Sequence, residues 1–339
     1  MRQVASATAF DRLQWLATCV ALLASAGSIS IIAAAHVLPP SRLAEVADTF
    51  TPLTGHVLIG GLAALLALKW RRYALPIMTA GVAIALVGHA VLAQAEQTAA
   101  LWPSDAPAAS SDTLRVYALN SWDSNPDLPR LERALQSVKA DVIVLTEADP
   151  QKLAMLSRLQ SSYPYQVSCA HQAWCATAIL SRLPIVAGAA ARKEYPIPPI
   201  AWARIDATAL GLGVVTVVGT HVHRPTRDSW LHTRQMQALA ALMLSTKGPV
   251  VLAGDFNTGS WSASFRKLVA ATAMADVASL QPTWPAYPVP FAQVALDHIL
   301  ISPDLMVRRS GIGPATGSDH LPVFAELTAT QPKRLSAKH

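Results

Sequence analysis

Side chains that can bind a hard cation or move a proton stand at the ends of six hydrophobic runs in this 339-residue chain. In chain order they are Asn120, Glu147, His221, Asp255 with Asn257, Asp297, and Asp319 with His320. One such residue after a strand is an ordinary cap or turn, because Asn and Asp are common there. Six runs that each carry one of these residue types to a strand end indicate a single site at the edge of a sheet.

The stretch VVLAGDFNTGSW, residues 250–261, shows this pattern most directly. Its apolar half predicts a buried strand, and Asp255 and Asn257 follow that strand at once. Taken alone, Asp255 and Asn257 are more typical of a surface turn. Carboxylate and amide oxygens suit a divalent cation such as Mg²⁺, and histidine suits proton transfer near neutral pH. The complete set therefore favours the site over the turn.

The elements that must position these residues are short β-rich runs that alternate with helical patterns. Strands are predicted at Leu114–Leu119, Val142–Thr146, Thr177–Leu180, Val214–Gly219, Val250–Leu252, His298–Ile301 and Val323–Leu327. Helices are predicted at Pro129–Val138, Gln151–Leu159 and Asp228–Thr246. This mixture predicts one α/β domain over residues 113–328, preceded by an Ala-, Ser- and Pro-rich linker at 97–112 and followed by a basic tail at 329–339.

In their order along the chain, these motifs resemble those of the endonuclease/exonuclease/phosphatase superfamily. The series LN…TE…TH…GDFN…LDHI…GSDHLP covers about residues 113–328, and GDFN with a terminal GSDHLPV is specific. The resemblance implies a DNase I-like, four-layer α/β/β/α sandwich with catalytic groups at one rim. It also implies hydrolysis of phosphate esters with a divalent cation, usually Mg²⁺, with Mn²⁺ as an alternative.

The resemblance assigns expected roles around that cation. Glu147 matches the metal-binding glutamate of the family, Asn120 matches an asparagine that helps to hold metal or phosphate, and Asp319 matches a second acidic residue near the ion. Asp255 and Asn257 match the pair that orients the attacking water and the phosphoryl oxygens.

The histidines receive expected roles in the same way. Asp297 and His320 match a hydrogen-bonded pair in which the carboxylate fixes the histidine tautomer and leaves the other ring nitrogen to move a proton. His221 matches a histidine that donates to the phosphoryl group or the leaving oxygen, and Arg224 is a candidate phosphate ligand. The chain departs from the abasic-site nucleases of the family at Trp122, where those enzymes carry an aspartate.

The composition is uneven along the chain. The sequence has 27 Lys and Arg and 21 Asp and Glu, and most of them follow residue 100. Before that point, three nearly uncharged runs at about 13–38, 52–68 and 74–95 have the length of membrane-spanning helices. They predict three transmembrane helices, with a cleaved signal peptide as the alternative for the first run.

The distribution of basic residues predicts how these helices are oriented. Lys69, Arg71 and Arg72 stand between the second and third runs, and Arg2 and Arg12 precede the first. The positive-inside rule places both segments in the cytoplasm, so the large domain is expected outside it, anchored in a bacterial-type inner membrane. An oxidising compartment would also permit a disulfide between Cys169 and Cys175 in a predicted hairpin.

Three functions fit these observations. The first is a membrane-anchored phosphoesterase that acts outside the cytoplasm on an envelope or lipid phosphate. The second is a nuclease; the sequence pI of about 9.4 favours it, but basic residues form no run in the domain, and extended phosphate binding needs a basic stripe. The third is a catalytically silent binding domain, which a missing catalytic residue would indicate, and none of the expected set is missing.

Overall fold

A computed structural model describes residues 9–37, 42–49, 51–69, 112–169, 176–191, 195–278, 281–286 and 293–330. The predicted span at 74–95, most of the linker and most of the basic tail lie outside these residues. The described residues form three N-terminal helices and one α/β domain.

The N-terminal helices are α1 (Ala9–Val37), α2 (Arg42–Thr49) and α3 (Thr51–Lys69). Within α1, Arg12–Ile31 is long and apolar enough to cross a membrane, and it is the one such segment among the described residues. The apolar stretch of α3, Val57–Leu66, is shorter than a span, so of the three predicted spans only the first has this support. α1 and α3 pack closely where Gly61 meets Ser25, which leaves no room for a Cβ.

The α/β domain contains twelve strands and four α-helices in the described residues. The strands are β1 (Leu114–Asn120), β2 (Val142–Thr146), β3 (Tyr165–Ser168), β4 (Thr177–Ser181), β5 (Ile185–Ala191), β6 (Ile200–Asp206), β7 (Val214–His221), β8 (Val250–Asp255), β9 (Ala275–Asp276), β10 (Asp297–Ile301), β11 (Leu305–Ile312) and β12 (Val323–Ala329). The helices are α4 (Leu128–Ser137), α5 (Leu153–Arg158), α6 (Ser229–Ser245) and α7 (Ala263–Thr272).

These strands form two six-stranded mixed sheets. The first has the order β11-β12-β1-β2-β4-β3, and the second has the order β5-β6-β7-β8-β10-β9. Each sheet contains one parallel pair, β1 with β2 and β7 with β8, and a helix connects the members of each pair. The carboxyl ends of a parallel pair lie at one edge of the sheet, so each crossover delivers two polar strand ends to the same rim.

Three hydrophobic clusters hold the layers together. One cluster fills the space between the two sheets and includes Val144, Val217 and Ile299. A second lies between the first sheet and helices α4 and α5, and a third lies between the second sheet and helices α6 and α7. Helix, sheet, sheet and helix therefore stack as four layers, as expected from the resemblance.

The strands and helices predicted within the α/β domain are all present, with ends that differ by a few residues. The sequence analysis missed β5, β6, β9, β11 and α7. Cys169 is disulfide-bonded, in agreement with the predicted bridge, whereas Cys175 lies outside the described residues.

Candidate active site

The four carboxyl ends of the parallel strand pairs meet across the two sheets at one rim. Asn120 ends β1 and Glu147 follows β2 directly, while His221 and Asp255 end β7 and β8 as register partners. Asp297 lies opposite Asp255 at the start of the antiparallel strand β10. His320 joins them because β12 runs antiparallel to β1 and therefore begins beside the end of that strand.

Asn120 connects the two sheets at this rim. Its Nδ2 donates to Glu147 Oε1 at 3.0 Å and to Asp255 Oδ2 at 2.9 Å. Its Oδ1 accepts from the backbone N of Trp122 at 2.9 Å, which fixes the orientation of the amide. Two carboxylates of different sheets are thus held on one nitrogen, and both are largely buried.

The backbone around Glu147 also holds its carboxylate in place. Oε2 accepts from the backbone N of Asp123 at 2.8 Å. Glu147 has a φ of 53°, and Trp122 and Asn257 have φ values of 55° and 52°. Residues other than glycine seldom adopt this left-handed region, and such strain concentrates at functional sites. Three of the five such residues in the described part of the chain lie at this rim, which makes it a candidate functional edge of the domain.

His221 and Arg224 bring positive or proton-donating groups towards the carboxylates. His221 Nε2 lies 3.8 Å from Glu147 Oε1 and 3.6 Å from Asp255 Oδ2. Arg224 Nη2 lies 3.7 Å from Glu147 Oε1, and its side chain is 48% exposed. Both groups therefore stand at the open side of the cluster, where an anionic ligand would enter.

Asp297 and His320 form the pair expected from the resemblance. His320 Nδ1 donates to Asp297 Oδ2 at 2.7 Å, and its Nε2 lies 4.0 Å from Asp255 Oδ2. Burial raises the pKa of Asp297. Burial alone would lower the pKa of His320, but the carboxylates of Asp297 and Asp255 raise it to about 9. The pair thus holds Nδ1 on Asp297 and directs Nε2 towards the cluster.

The GDFN sequence places Asp255 and Asn257 through its backbone. Gly254 has a φ of 139°, and a Cβ at this position would lie 2.0 Å from the carbonyl oxygen of Thr220 on β7. Asp255 Oδ1 accepts from the backbone N of Asn257 at 2.7 Å, and Asn257 Nδ2 donates to the carbonyl of Val222 at 2.9 Å. The glycine thus allows β8 to approach β7, and the turn after it fixes both polar side chains.

Asp319 lies within electrostatic reach of His320 and Glu147 but makes its side-chain hydrogen bond elsewhere. Its Oδ2 accepts from the indole Nε1 of Trp284 at 3.3 Å, and it belongs to neither group of described residues with metal-binding spacing. Burial raises the pKa of Asp319. Its metal-binding role stays a prediction.

The sequence analysis missed three supporting groups. The backbone N–H groups of Trp122 and Asp123 bind Asn120 and Glu147, and the Ser318 hydroxyl donates to the carbonyl of Asn120 at 2.7 Å. The same hydroxyl oxygen accepts from the backbone N of His320 at 3.1 Å. The only sequence signal for these groups is their position beside the polar strand ends.

The donor atoms at this rim fit a divalent cation. Among the described residues, Glu147, His221 and Asp255 form one group whose ligand atoms lie within 4.8 Å of one another, and Asp255, Asp297 and His320 form a second. Oxygen donors dominate around Glu147 and Asp255, as Mg²⁺ or Mn²⁺ requires. Carboxylates this close repel one another, and a cation between them would offset that repulsion.

Fold and rim together define a phosphoesterase-like α/β/β/α domain. The sequence model of the endonuclease/exonuclease/phosphatase family matches residues 114–320. The chain therefore belongs to this family. No curated protein sequence matches the chain significantly.

Solved structures support the fold at low sequence identity. An endonuclease/exonuclease/phosphatase from Bacteroides vulgatus has a TM-score of 0.54 and 17% identity, over 64% of this chain and 99% of its own. An endonuclease/exonuclease/phosphatase from Beutenbergia cavernae has a TM-score of 0.50 and 20% identity, over 64% of this chain and 72% of its own. D. rerio TDP2, solved in complex with a single-strand DNA product, has a TM-score of 0.54 and 16% identity, over 64% of this chain and 99% of its own. At these identities, the similarity shows the fold alone.

Proposed function

We propose that the chain is a membrane-anchored, divalent-metal-dependent phosphoesterase whose catalytic domain, residues 113–328, acts outside the cytoplasm. The observation that carries the proposal is the convergence of Asn120, Glu147, Asp255, His221 and the Asp297–His320 pair at one rim. Family members hydrolyse phosphate esters, and this rim retains the carboxylate, amide and histidine groups that such a reaction needs.

In this proposal, Glu147 would hold the cation, and Asn120 would help by holding the carboxylates of Glu147 and Asp255 in place. When bound, the cation would lower the cost of negative charge on the phosphoryl oxygens and activate water. Asp255 and Asn257 orient the attacking water. The positive charge of a bound cation would lower the pKa of His320 and free Nε2 to accept a proton from that water. Asp297 then stabilises the imidazolium through Nδ1. No covalent enzyme intermediate is required.

On the other side of the phosphorus, His221 donates a proton or a hydrogen bond to the phosphoryl or leaving oxygen. Arg224 binds a phosphate oxygen from the open side of the cluster, where its guanidinium is exposed. Developing negative charge therefore meets donors that are already in place, which is the main source of rate enhancement in such sites.

The apolar surface of the N-terminal helices supports anchoring in a membrane. Large side chains that are at least half exposed on α1 include Leu13, Trp15, Leu16, Val20 and Leu23. A helix of a soluble core would bury these side chains, whereas a lipid bilayer accommodates them. We propose three spans at about 13–38, 52–68 and 74–95, of which α1 is the best supported.

A contact between α2 and the catalytic domain supports the view that both lie on the same side of the membrane. α2 touches α6 and α7, so residues 42–49 and the domain share a side. The chain between α2 and the domain must then cross the membrane an even number of times. Together with the crossing of α1, this gives one or three spans in total and excludes two. With the basic segments in the cytoplasm, that shared side is the outer one.

We propose a phosphate ester of the envelope, or a lipid phosphate, as the substrate. The site of an anchored enzyme stays within a few tens of Å of the bilayer, which favours substrates that are held there. The net charge after residue 100 is small and the basic residues form no run, so a nuclease function is the less favoured alternative.

One experiment tests the proposed function. The detergent-solubilised full chain is incubated with Mg²⁺ or chelator against phospholipid and isoprenyl phosphates, soluble phosphomonoesters and diesters, and plasmid DNA. We expect Mg²⁺-dependent release from a lipid phosphate. Turnover that survives chelation would contradict the metal assignment, and cleavage of plasmid with no action on lipid phosphates would establish the nuclease alternative.

A further inference from the structure

An exposed surface of aromatic and arginine side chains lies beside the candidate site. Tyr195 and Trp230 stack with their ring centroids 5.6 Å apart, and they are 60% and 57% exposed. The Arg234 guanidinium lies over the Trp230 ring, 5.4 Å from its centroid. Arg227 is exposed one turn before Trp230. Tyr195, Arg227, Trp230 and Arg234 are called the aromatic–arginine surface below.

Two connections join this surface to the catalytic rim. The loop that contains Arg227 leads from His221 at the end of β7 into α6 and also carries Arg224. The segment after Tyr195 enters β6, where the carbonyl of Pro199 accepts from the backbone N of His221. The aromatic–arginine surface therefore continues outwards from the open side of the site, where a phosphate ester would enter.

The membrane-proximal helix α2 docks on the domain close to the same surface. Glu45 of α2 is 1% exposed, and its Oε2 accepts from the Ser264 hydroxyl of α7 at 2.8 Å. The same oxygen lies 3.9 Å from His232 Nε2, two residues after Trp230 on α6. Burial lowers the pKa of His232 to about 4 and raises that of Glu45.

The hydrogen bonds of His232 make this docking contact part of the domain. Its Nδ1 donates to the carbonyl of His223 at 2.8 Å, and its Nε2 lies 3.1 Å from the Ser264 hydroxyl. A chain of polar contacts thus runs from Glu45 to the loop between β7 and α6. The first turn of α6 is consequently fixed relative to α2.

The length of chain between α1 and α2 limits how far this region can lie from the bilayer. Val37 ends α1 and Arg42 begins α2, so five peptide steps separate them and span at most about 18 Å. α2 also packs against both α1 and α3. The first turn of α6, which α2 holds through Glu45, therefore lies near the surface of any membrane that α1 crosses.

From these contacts, we infer that the aromatic–arginine surface rests on the polar interface of a bilayer that contains anionic phospholipids. The inference depends on the membrane anchoring proposed above. Tyrosine and tryptophan are enriched at membrane interfaces because one end of each ring is apolar and the other is polar. The arginines match lipid phosphates, which they bind through paired N–H groups. When this surface rests on the bilayer, the open side of the site faces the lipid headgroups.

The same chemistry would suit a nucleic acid strand, since aromatic rings stack on bases and arginines bind phosphates. The docking of α2 favours the bilayer, because it places this surface beside α1 whatever the substrate is. A nucleic acid would need a basic path across the domain, whereas a lipid interface needs only this one patch.

The test uses the full chain reconstituted in nanodiscs of phosphatidylcholine and phosphatidylglycerol. Cys19→Ala removes the free cysteine, and an environment-sensitive fluorophore is attached at Thr226→Cys, which is exposed between Arg224 and Arg227. Leu244→Cys, at the opposite end of α6 and 65% exposed, is the matched control. Lipids with a spin label near the headgroup quench fluorophores at the interface.

We expect quenching to be several-fold stronger at position 226 than at position 244, and to fall when Tyr195→Ala and Trp230→Ala are added. Equal quenching at the two positions, or protection of position 226 by an oligonucleotide and not by lipid, would overturn the inference. The same double variant is expected to lose several-fold in turnover of a vesicle-embedded phosphate ester and to retain turnover of a soluble one. If the unmodified chain turns over neither ester, the proposed function fails while the quenching result still decides the inference.

Discussion

His320 Nδ1 lies 2.7 Å from Asp297 Oδ2, and both side chains are almost completely buried. Asp297 begins β10 and His320 precedes β12, so the pair joins the two sheets. This bond fixes the ring so that its free nitrogen, Nε2, points towards Asp255 at 4.0 Å. The pair thus has the geometry of a general base held in one tautomer by a carboxylate.

Removal of the imidazole tests this assignment. We expect His320→Ala to lower kcat by about 10²- to 10⁴-fold, the range typical of general acid–base catalysis, with a smaller effect on KM. Steady-state kinetics on whichever phosphate ester is turned over provides the measurement. Asp206→Asn, an exposed carboxylate at the far end of β6, is the control and is expected to retain the wild-type rate. An unchanged kcat in the folded His320→Ala variant would remove His320 from the mechanism.

The same pair predicts how stability depends on pH in the presence of chelator. The folded-state pKa of His320 is about 9, above the reference value of 6.5. A histidine whose pKa is raised on folding contributes stability that is fully present below pH 6.5 and is lost as pH rises through about 9. We expect Tm of the metal-free protein to fall across this window. In His320→Gln the fall should be shallower, and an identical pH profile in that variant would contradict the assignment.

The polar strand ends were predictable because a parallel crossover brings two carboxyl ends to the same edge. Asn120, Glu147, His221 and Asp255 all follow from that rule and from runs of buried β-branched residues. Asp319 shows the limit of the rule. It lies in a bend and not in a strand, so the strand-end rule does not fix the direction of its carboxylate, which accepts from Trp284.

Contacts between distant segments were not predictable in this way. Glu45 and Ser264 are separated by 219 residues, and no local pattern links them. β5 was missed because Ile185–Ala191 consists mainly of small residues, which give little alternating hydrophobic signal. The backbone donors of Trp122 and Asp123 were missed because a sequence pattern identifies side chains, not the N–H groups of a loop.

Metal binding should stabilise the folded chain through Glu147. Ligand binding to the native state adds about 2.7 kcal/mol at a ligand concentration of 100 Kd, so we expect Mg²⁺ to raise Tm of the wild-type protein. Glu147→Gln keeps the shape of the side chain and removes its charge, so that increase should be lost. Isothermal titration of Mg²⁺ gives a second measurement.

The control for the metal experiment is Glu132→Gln. Glu132 pairs with Arg158 at 2.7 Å between α4 and α5, and its carboxylate belongs to neither group of possible metal ligands among the described residues. Its substitution should leave the Mg²⁺-dependent rise in Tm intact. An undiminished Mg²⁺ response in Glu147→Gln would show that the cation binds elsewhere.

The close approach of β7 and β8 at Gly254 predicts a large cost for any side chain there. A Cβ would lie 2.0 Å from the Thr220 carbonyl oxygen, and the φ of 139° is unfavourable for other residues. Backbone strain and overpacking each cost about 1–3 kcal/mol, so we expect Gly254→Ala to lower the free energy of unfolding by about 2–6 kcal/mol. Gly248→Ala is the matched control, since Gly248 has a φ of 81° but open space around it, and strain alone should cost about 1–2 kcal/mol. Thermal unfolding distinguishes the two, and equal losses of stability would show that the close approach to Thr220 adds no cost beyond backbone strain.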